Sequence, residues 1–419
     1  MNKFDSFALN KQIIKALDYA KIINPTPIQN KIIPLIIRKS DVLGVAQTGT
    51  GKTAAYLLPI LHNITKHSTE YNKKSCKSLV IVPTRELAIQ VYDNLKIFSK
   101  FLSLRTCLIV GGVKPGPQLK SLLKGVDVLV GTPGRIMDHM NTKGLIISHT
   151  NTIILDEADQ LMDLGFLPVI KKIAHNLPKK RQTILITATM LANVKDLALK
   201  FLHDYEEINL SPKALPVSKI RQKTIRVTNS DKLVNLKSII DREKIFNAII
   251  FTRTKKRADN LAKNLCKSKF KAMAIHGDKR QSQRIRILND FKNSKLNFLI
   301  ATDVAARGLD IHDIMFVINY DLPTQPEIYV HRIGRTARAG KEGIAISLFD
   351  NSELKKLRSI EKLIGKKFEV EKTDLKNNLK NETFIKENPK KTFLKVIKNK
   401  KKKNVIKIKS FKKRKKKKN

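Results

Sequence analysis

The chain has few cysteines. Cys76, Cys107 and Cys266 lie far apart in the 419 residues, and none of them forms a CxxC pair or has a histidine nearby at metal-ligand spacing. This scarcity excludes a small disulfide-stapled domain and a zinc site of the usual pattern. The sequence therefore predicts reduced, packed thiols of the kind found in the cytosol.

Long apolar stretches are also lacking. No run reaches the ~18 to 20 residues that a membrane-spanning helix needs. The first residues, MNKFDSFALN, contain no apolar segment followed by a cleavage site. We therefore expect a cytoplasmic protein that does not enter the membrane.

Acidic residues are scarce relative to basic ones. The 36 Asp and Glu against 83 Lys and Arg give a formal net charge of +47, which favours a polyanionic partner such as nucleic acid or an anionic membrane. A biased genome composition is the alternative, but it does not explain why residues 371–419 hold 21 Lys or Arg and only 4 Asp or Glu. Because this region has too little apolar content to offset chain entropy, we expect a disordered basic tail.

Short, unbroken apolar runs alternate with helical patterns along the chain. They lie at 41–46, 79–82, 107–110, 126–130, 152–155 and 183–187, and then at 248–251, 272–275, 297–301, 315–319 and 343–349. Such runs are typical of buried parallel strands, and amphipathic segments such as RELAIQVYDNLKIFSKFL between them make the repeating unit βα. The sequence therefore predicts an α/β fold with two tandem parallel sheets flanked by helices.

The segment NLSPKALPVSKI separates the two halves, and its two prolines and lack of periodicity favour an extended linker. We predict a first domain at 1–208, a linker at 209–220, a second domain at 221–368 and the tail at 369–419. Open α/β sheets bind ligands beyond the carboxyl ends of their strands, so two such crevices can face each other across the linker.

Residues 46–53, AQTGTGKT, follow one predicted strand and begin a predicted helix, which is the context of a phosphate-binding loop. The glycines let backbone N–H groups turn toward phosphate oxygens, Lys52 neutralises the β and γ phosphates, and Thr53 offers a hydroxyl to Mg²⁺. A Gly-rich turn before a helix is the plain alternative. The predicted nucleotide-binding residues of the loop are Ala46, Gln47, Thr48, Gly49, Thr50, Gly51, Lys52 and Thr53.

The apolar run at 152–155 ends in Asp156-Glu157-Ala158-Asp159. Asp156 thus emerges at the carboxyl edge of a strand, where it can hold the water shell of Mg²⁺ together with Thr53. Glu157 can orient or deprotonate an attacking water. A solvated acidic helix start is the alternative, although acids directly after a buried strand are not typical of one. Together with the loop, these acids predict a nucleoside triphosphatase.

With these residues, roughly 1–365 of the chain resembles the DEAD-box ATP-dependent RNA helicases. The RhlE-like bacterial branch is the most similar in FTRTKKRADNLA, AIHGDKRQSQR and YVHRIGRTARAG. The resemblance implies two RecA-like domains that use ATP and Mg²⁺ and bind RNA. NPTPIQ is similar to the adenine-reading Q motif, with Thr26, Gln29 and the upstream Phe4 as binding residues. One departure is Lys21-Ile22, where the family usually has glycine and an aromatic residue.

Further segments are similar to the family's RNA-backbone contacts, and their order and number matter more than any one of them, since each alone could be an ordinary turn. The resemblance implies that the RNA-binding residues are Pro83, Thr84, Arg85, Gly111, Gly112, Thr132, Gly134, Arg135, Arg253 and Thr302. In TAT, which replaces the family's SAT, Thr187 and Thr189 are implied to couple the nucleotide state to strand separation, as is His331.

The segment HRIGRTARAG, at 331–340, places Arg335 and Arg338 three residues apart, on one face if the segment is helical. The resemblance implies that both act as fingers on the γ-phosphate and that Asp310 accepts a bond from the ribose. An ion-paired surface is the alternative.

We therefore expect an enzyme that couples RNA-dependent ATP hydrolysis to local unwinding of short RNA duplexes or to remodelling of ribonucleoproteins, in ribosome assembly or RNA decay. An RNA chaperone that acts through its tail and a DNA-directed motor are the alternatives. The tail is expected to tether RNA and to contact ribosomal precursors or RNA-decay proteins, with a solubilising end or membrane adhesion as its alternatives. A monomer is expected.

Overall fold

The computed structural model describes residues 2–47, 49–66, 71–190, 192–210, 220–306, 309, 311, 314–336 and 342–372. Thr48, Asp310 and Arg338 lie outside these residues, as do 211–219 of the predicted linker and 373–419 of the predicted tail.

The first half of the chain forms one parallel sheet. Its strands are β1 (Val42–Val45), β2 (Cys76–Ile81), β3 (Thr106–Ile109), β4 (Val126–Gly131), β5 (Thr152–Leu155), β6 (Gln182–Thr187) and β7 (Glu206–Asn209). They pair in the order β3-β4-β2-β5-β6-β1-β7. The helices around this sheet are α1 (Lys11–Tyr19), α2 (Pro27–Ile37), α3 (Lys52–Thr65), α4 (Arg85–Phe98), α5 (Pro115–Leu122), α6 (Pro133–Asn141), α7 (Ala158–Asp163), α8 (Leu167–His175) and α9 (Ala192–Phe201).

Alternate residues of the central strands belong to two different cores, one on each face of the sheet. In β5, Ile154 packs into one core and Ile153 into the other. Both faces are covered by helices, which is why these strands are apolar throughout rather than alternating with polar residues.

The second half forms another parallel sheet. Its strands are β8 (Ile220–Arg226), β9 (Ala248–Thr252), β10 (Ala272–Ile275), β11 (Phe298–Thr302), β12 (Phe316–Asn319), β13 (Gly343–Phe349) and β14 (Val370–Lys372), in the order β10-β11-β9-β12-β13-β8-β14. The helices are α10 (Lys232–Arg242), α11 (Lys255–Lys267), α12 (Gln281–Lys292), α13 (Asp303–Ala306), α14 (Pro326–Ile333) and α15 (Leu354–Ile364). Each strand of this sheet takes the position of the strand seven earlier, so both halves share one topology.

The prediction of two tandem parallel sheets is confirmed. Sequence reasoning missed the strands β7, β8 and β14. The residues of β7 are largely exposed, so they lack the apolar run that marks a buried strand. Strand β14 lies within the segment predicted as tail; it pairs with β8, and the Thr224 hydroxyl donates to the Glu369 carbonyl at 2.6 Å. The second sheet therefore includes residues that were predicted to belong to the tail.

The described cysteines are free thiols. Burial raises the pKa of Cys76 to about 12 and that of Cys107 to about 11. The prediction that all three are packed is wrong for Cys266, which is exposed. Across the part of the chain that the structure describes, no helix combines the length and the apolar character needed to cross a bilayer.

Candidate functional site

The loop between β1 and α3 has the backbone conformation that its glycines predict. Gly49 and Gly51 both have φ of 86°, in the left-handed region that favours glycine. A Cβ atom on Gly51 would lie 2.5 Å from Gln29 Nε2, so a larger residue has no room there. The Lys52 ammonium is buried and donates to the Ala46 carbonyl at 2.8 Å. The loop thus holds its lysine inside the curve of its own backbone.

Gln29 connects the predicted adenine-reading segment to this loop. Its Oε1 accepts from the Thr26 backbone N–H at 2.9 Å, and its Nε2 donates to the Gly51 carbonyl at 3.0 Å. Thr26 and Gln29 form a capping box at the start of α2, in which each side chain faces the backbone N–H of the other. The predicted adenine-reading residues are thus held in place beside the loop.

Phe4 does not lie where a base could stack on it. Its side chain is fully buried and packs edge-on against Phe7, with 6.0 Å between the ring centroids. The geometry therefore contradicts the prediction of a direct contact with the nucleotide, because neither face of the ring is open. Lys21, at the departure from the family pattern, adopts a left-handed φ of 57° without being glycine.

The acids predicted after β5 are enclosed at the carboxyl edge of the first sheet. Asp156 Oδ2 accepts from the Tyr56 hydroxyl at 2.8 Å, and Asp156 Oδ1 accepts from the Glu157 backbone N–H at 2.8 Å. Glu157 has a left-handed φ of 49°, and its buried Oε2 has no hydrogen-bond partner within the described residues. A carboxylate oxygen without a donor is suited to accept a proton or a water.

Burial dominates the electrostatics of these acids. It raises the pKa of Glu157 to about 7, against the lowering effect of the Lys52 charge. Burial also raises the pKa of Asp156, and Lys52 again opposes it. A carboxyl group with a pKa near 7 is suited to general-base work at neutral pH.

The donors at this edge are hydroxyl and carboxylate oxygens, the type that Mg²⁺ prefers. Thr53 and Asp156 could hold such an ion. No group of three or more His, Cys, Asp or Glu side chains converges as a metal site in the described parts of the chain. The Thr53 hydroxyl and the Asp156 carboxylate are oxygen ligands that fit an ion which phosphate oxygens and water would also bind.

The residues predicted to couple the nucleotide state to RNA are connected to the last acid of the DEAD segment. Asp159 Oδ2 accepts from the Thr189 hydroxyl at 2.9 Å and from the backbone N–H groups of Thr189 and Ala188 at 3.0 and 3.2 Å. Thr187 Oγ1 donates to the Thr189 carbonyl at 2.9 Å. Sequence reasoning did not single out Asp159, although its place in the same short acidic segment was a usable signal.

One predicted arginine of the second half of the chain acts electrostatically on Glu157. Burial has the largest effect on the pKa of Glu157 and raises it, and the charge of Arg335 is one of the smaller effects that lower it. Arg335 Nη1 donates to the Leu309 carbonyl at 2.9 Å. Arg335 lies in the turn after α14, which ends at Ile333. His331 lies in the last turn of α14, and Arg338 is outside the described residues.

The predicted RNA-binding residues of the first half lie together in loops that follow the strands. Thr84 caps the start of α4, and its Oγ1 accepts from the Leu87 backbone N–H at 3.3 Å. The Arg85 guanidinium lies against Gly111 and Gly112, and a Cβ atom on Gly112 would collide with it. Pro83 immediately precedes this cap.

The following loop is organised similarly. Thr132 is the residue before α6, and Gly134 lies in the first turn of that helix with open space around it. Arg135 donates from both terminal nitrogens to the Val113 carbonyl at 3.2 Å, which connects α6 to the loop of the paired glycines. The structure thus brings the two loops together.

The counterparts in the second half are Thr302, the last residue of β11, and Arg253, which follows β9. Arg253 donates to Glu353, with 2.5 Å between Nη2 and Oε1, and its backbone N–H donates to Asp321 Oδ2 at 3.0 Å. Glu353 is buried and had no role in the prediction.

A contact between the two halves also escaped prediction. Glu86, in the first turn of α4, accepts from Gln281 Nε2 at 2.9 Å and forms an ion pair with Arg284 at 2.9 Å. All three side chains are buried. The spacing of Gln281 and Arg284, three residues apart on α12, was a signal for one shared helix face.

These features define the class of the protein. The two sheets have the same topology. The first carries a phosphate-type loop and buried acids, and the second carries an arginine whose charge acts on one of those acids. This is the architecture of a two-domain helicase ATPase.

Comparison with known proteins gives the family. Residues 26–197 match the family described as DEAD/DEAH box helicase, and 231–340 match the helicase conserved C-terminal domain. The ATP-dependent RNA helicase CshA of Listeria monocytogenes is 42% identical over 369 residues, 88% of this chain and 70% of that protein. The DEAD-box ATP-dependent RNA helicase CshA of Bacillus subtilis is 40% identical over 366 residues, 87% of this chain and 73% of that protein.

Among solved structures, S. cerevisiae Dbp5 bound to RNA and ADP BeF3 is similar with a TM-score of 0.76 and 31% identity, covering 91% of this chain and 98% of that one. The chain belongs to the DEAD-box family of ATP-dependent RNA helicases. It is an enzyme with ATP-dependent RNA helicase activity, as predicted. These relatives carry the name CshA, so they do not support the finer prediction of the RhlE-like branch.

Proposed function

We propose that ATP and RNA together close the two domains around one active site, and that hydrolysis reopens them. The observation that carries this proposal is the buried contact between the domains, in which Glu86 of the first domain bonds to Gln281 and Arg284 of the second, each at 2.9 Å. In this mechanism the loop from Ala46 to Thr53 binds the phosphates, Lys52 neutralises them, and Glu157 takes the proton of the attacking water. Arg335 and Arg338 stabilise the charge that develops on the γ-phosphate.

The nucleotide is oriented by side chains at the edge of the first sheet. Thr26 and Gln29 are suited to the adenine edge, and Asp310 is the proposed partner of the ribose. Thr53 and Asp156 would hold Mg²⁺, largely through water, and this ion would neutralise charge on the β and γ phosphates.

RNA is proposed to lie across both domains, along the loops that follow their strands, with its phosphates toward the protein. The first domain would contribute Pro83, Thr84, Arg85, Gly111, Gly112, Thr132, Gly134 and Arg135, and the second Arg253 and Thr302. Most of these groups are backbone N–H groups, hydroxyls and guanidinium groups, which suit phosphates rather than bases. Binding should therefore weaken with salt and depend little on base sequence.

Coupling between the two ligands is proposed to run through Thr187, Thr189 and His331. The bonds from Thr189 to Asp159 support this role, because Asp159 lies three residues after Asp156. A shift of the acids on nucleotide binding would then move the loop after β6.

We propose that the predicted domains meet at a linker between Asn209, the last residue of β7, and Ile220, the first residue of β8. The second domain includes β14, so the tail begins after Lys372 and not at 369. We propose a cytoplasmic monomer of the RhlE-like branch that acts in ribosome assembly or RNA decay. Its basic tail would hold RNA and contact ribosomal precursors or RNA-decay proteins.

The test is the substitution Glu157→Gln, which keeps the shape of the side chain and removes its basicity. RNA-stimulated ATPase should fall by about 10² to 10⁴ in kcat, the usual contribution of a general base, while ATP still promotes RNA binding. Glu243→Gln, the same substitution far from the site, should leave both unchanged.

Two other outcomes would contradict the proposal. Survival of both ATPase and duplex separation in Glu157→Gln would favour a chaperone that acts through its tail. Stimulation of the wild-type ATPase by DNA at least equal to that by RNA, with a dependence on strand length, would favour a DNA-directed motor.

A further inference from the structure

Tyr56 lies one helical turn after Lys52 on α3 and is fully enclosed in the first domain. Its hydroxyl donates to Asp156 Oδ2 at 2.8 Å, while Asp156 Oδ1 accepts from the Glu157 backbone N–H. Each oxygen of Asp156 therefore has a donor. With both oxygens engaged, the plane of the carboxylate is held in one orientation.

Thr53 lies on the same face of α3 as Tyr56. Tyr56 follows Thr53 by three residues on this helix, so the two side chains are neighbours. The hydroxyl that donates to Asp156 therefore belongs to the helix face that carries Thr53.

The hydroxyl is not needed to fill space. The ring of Tyr56 belongs to the apolar core beneath the loop, which a phenylalanine ring would fill equally well. A buried hydroxyl is retained at low cost only where it has a hydrogen-bond partner, and here that partner is an acid of the active site.

We propose that Tyr56 is a positioning residue for Mg²⁺, whose hydroxyl aims Asp156, beside Thr53, at the ion. This inference rests on the proposed function, in which Thr53 and Asp156 hold the ion. Groups that hydrogen-bond to metal-binding side chains orient them and tune their affinity for the metal. Without the hydroxyl, Asp156 would rotate more freely and leave one buried oxygen without a donor.

The experiment compares Tyr56→Phe with the wild type by titrating Mg²⁺ into the protein bound to a fluorescent ADP analogue. We expect the Mg²⁺ concentration at half-saturation to rise roughly tenfold, the usual effect of removing such a partner. Affinity for the analogue in EDTA should stay the same, because the phosphate loop is intact.

Tyr71→Phe is the matched control. The Tyr71 hydroxyl also donates to a buried aspartate, Asp127, at 2.8 Å, but Asp127 pairs with Lys77 far from the loop. This variant should lose a comparable hydrogen bond and bind Mg²⁺ like the wild type. If both variants lost Mg²⁺ affinity equally, the cause would be a general loosening of the domain, and the inference would be overturned.

A double-mutant cycle tests the route through Asp156. In an Asp156→Asn background, Tyr56→Phe should have little further effect on Mg²⁺ binding, whereas additive effects would exclude this route. Tyr56→Met, which also lacks a donor, serves if Tyr56→Phe does not fold. If wild-type affinity for the analogue does not depend on Mg²⁺, the proposed metal site fails. If it does and Tyr56→Phe matches the wild type, only the role of Tyr56 fails.

Discussion

The two domains place the same residue types at the same positions of one topology. Lys52 begins the helix after β1, and Lys232 begins the helix after β8. Asp156 directly follows β5, and Asp321 follows the equivalent strand β12 by two residues. In the first domain the lysine donates to a carbonyl of its own glycine-rich loop. In the second it forms ion pairs with Asp321 at 3.3 Å and Glu353 at 2.7 Å.

The different partners of the two lysines show how one fold can serve either to bind a ligand or to stabilise a domain. The loop before Lys232 reads VTNSD and has no glycine to curve around a phosphate. Glu353 supplies the negative charge that a phosphate would bring, and Lys232 is only 1% exposed. The second domain thus pairs its lysine with its own acids, whereas the first keeps the buried Glu157, whose pKa burial raises to about 7, for a ligand. What the second domain offers across the interface is an arginine.

The most severe test of this comparison is the same substitution in both domains. Lys232→Met should lower the free energy of unfolding by about 3 kcal/mol, because Asp321 and Glu353 lose the buried cation that they share and keep only the more exposed Arg257 and Arg253. Lys52→Met should cost about 1 kcal/mol or less but abolish ATP binding, because its neighbouring acids can take up protons instead. Urea unfolding followed by circular dichroism measures the first effect, and nucleotide titration the second.

Arg242→Met controls for the loss of a cation, since Arg242 pairs with Glu243 at the surface. Equal destabilisation by Lys52→Met and Lys232→Met would end the distinction between a ligand-binding and a structural lysine.

The second test is the pH dependence of stability, measured on protein free of metal and nucleotide. Burial raises the pKa of Glu157 to about 7 in the native state, from an ordinary value of 4.5 in the unfolded chain. Between these values the native state holds a proton that the unfolded chain has lost, so the stability from this group falls as pH rises from about 4.5 to 7. The free energy of unfolding of the wild type, minus that of Glu157→Gln, should fall by about 3 kcal/mol over this range.

Glu243 in the second domain should behave in the opposite way. The hydrogen bond with Lys223 lowers the pKa of Glu243, so its contribution to stability is present above the ordinary pKa and is lost as pH falls. The free energy of unfolding of the wild type, minus that of Glu243→Gln, should therefore fall as the pH is lowered. If both free-energy differences changed in the same direction with pH, burial would not be what sets the pKa of Glu157.

The third test concerns the contact at which the opposite charges of the two domains meet. Glu86→Gln and Arg284→Met should each lower RNA-stimulated ATPase at subsaturating RNA by roughly tenfold, because each removes one side of a buried pair that forms on closure. The double variant should be little worse than either single one, with a coupling energy of about 1–2 kcal/mol.

The exposed pair of Lys255 and Asp278 is the control, and a cycle on it should show almost no coupling. Additive effects at Glu86 and Arg284 would mean that the contact does not contribute to closure.

Much of the fold and the site was predictable because the signals are local. Apolar runs mark the central strands, and the glycines, lysine and acids of the nucleotide site lie at the strand ends that these runs predict. The missed strand β7 shows the limit, since an edge strand with exposed residues has no apolar run. Phe4 shows another limit, because an aromatic residue at a motif position can equally be a core residue.

The partners of the site residues were not predictable, because they come from distant parts of the chain. Tyr56 and Asp156 are 100 residues apart, and Gln281 and Glu86 are 195 apart. No periodicity or turn signal connects positions so far apart.

The sequence by itself determined two parallel α/β sheets, the phosphate loop and the acids after β5. This was possible because the residue patterns of strands and turns involve only a few adjacent residues. Only the tertiary structure decided which lysine is left for a ligand and which is neutralised by its own domain, which hydroxyl aims Asp156, and where the domains meet. Burial and pairing depend on packing between distant segments, and that packing sets both the pKa of Glu157 and the partner of each charge.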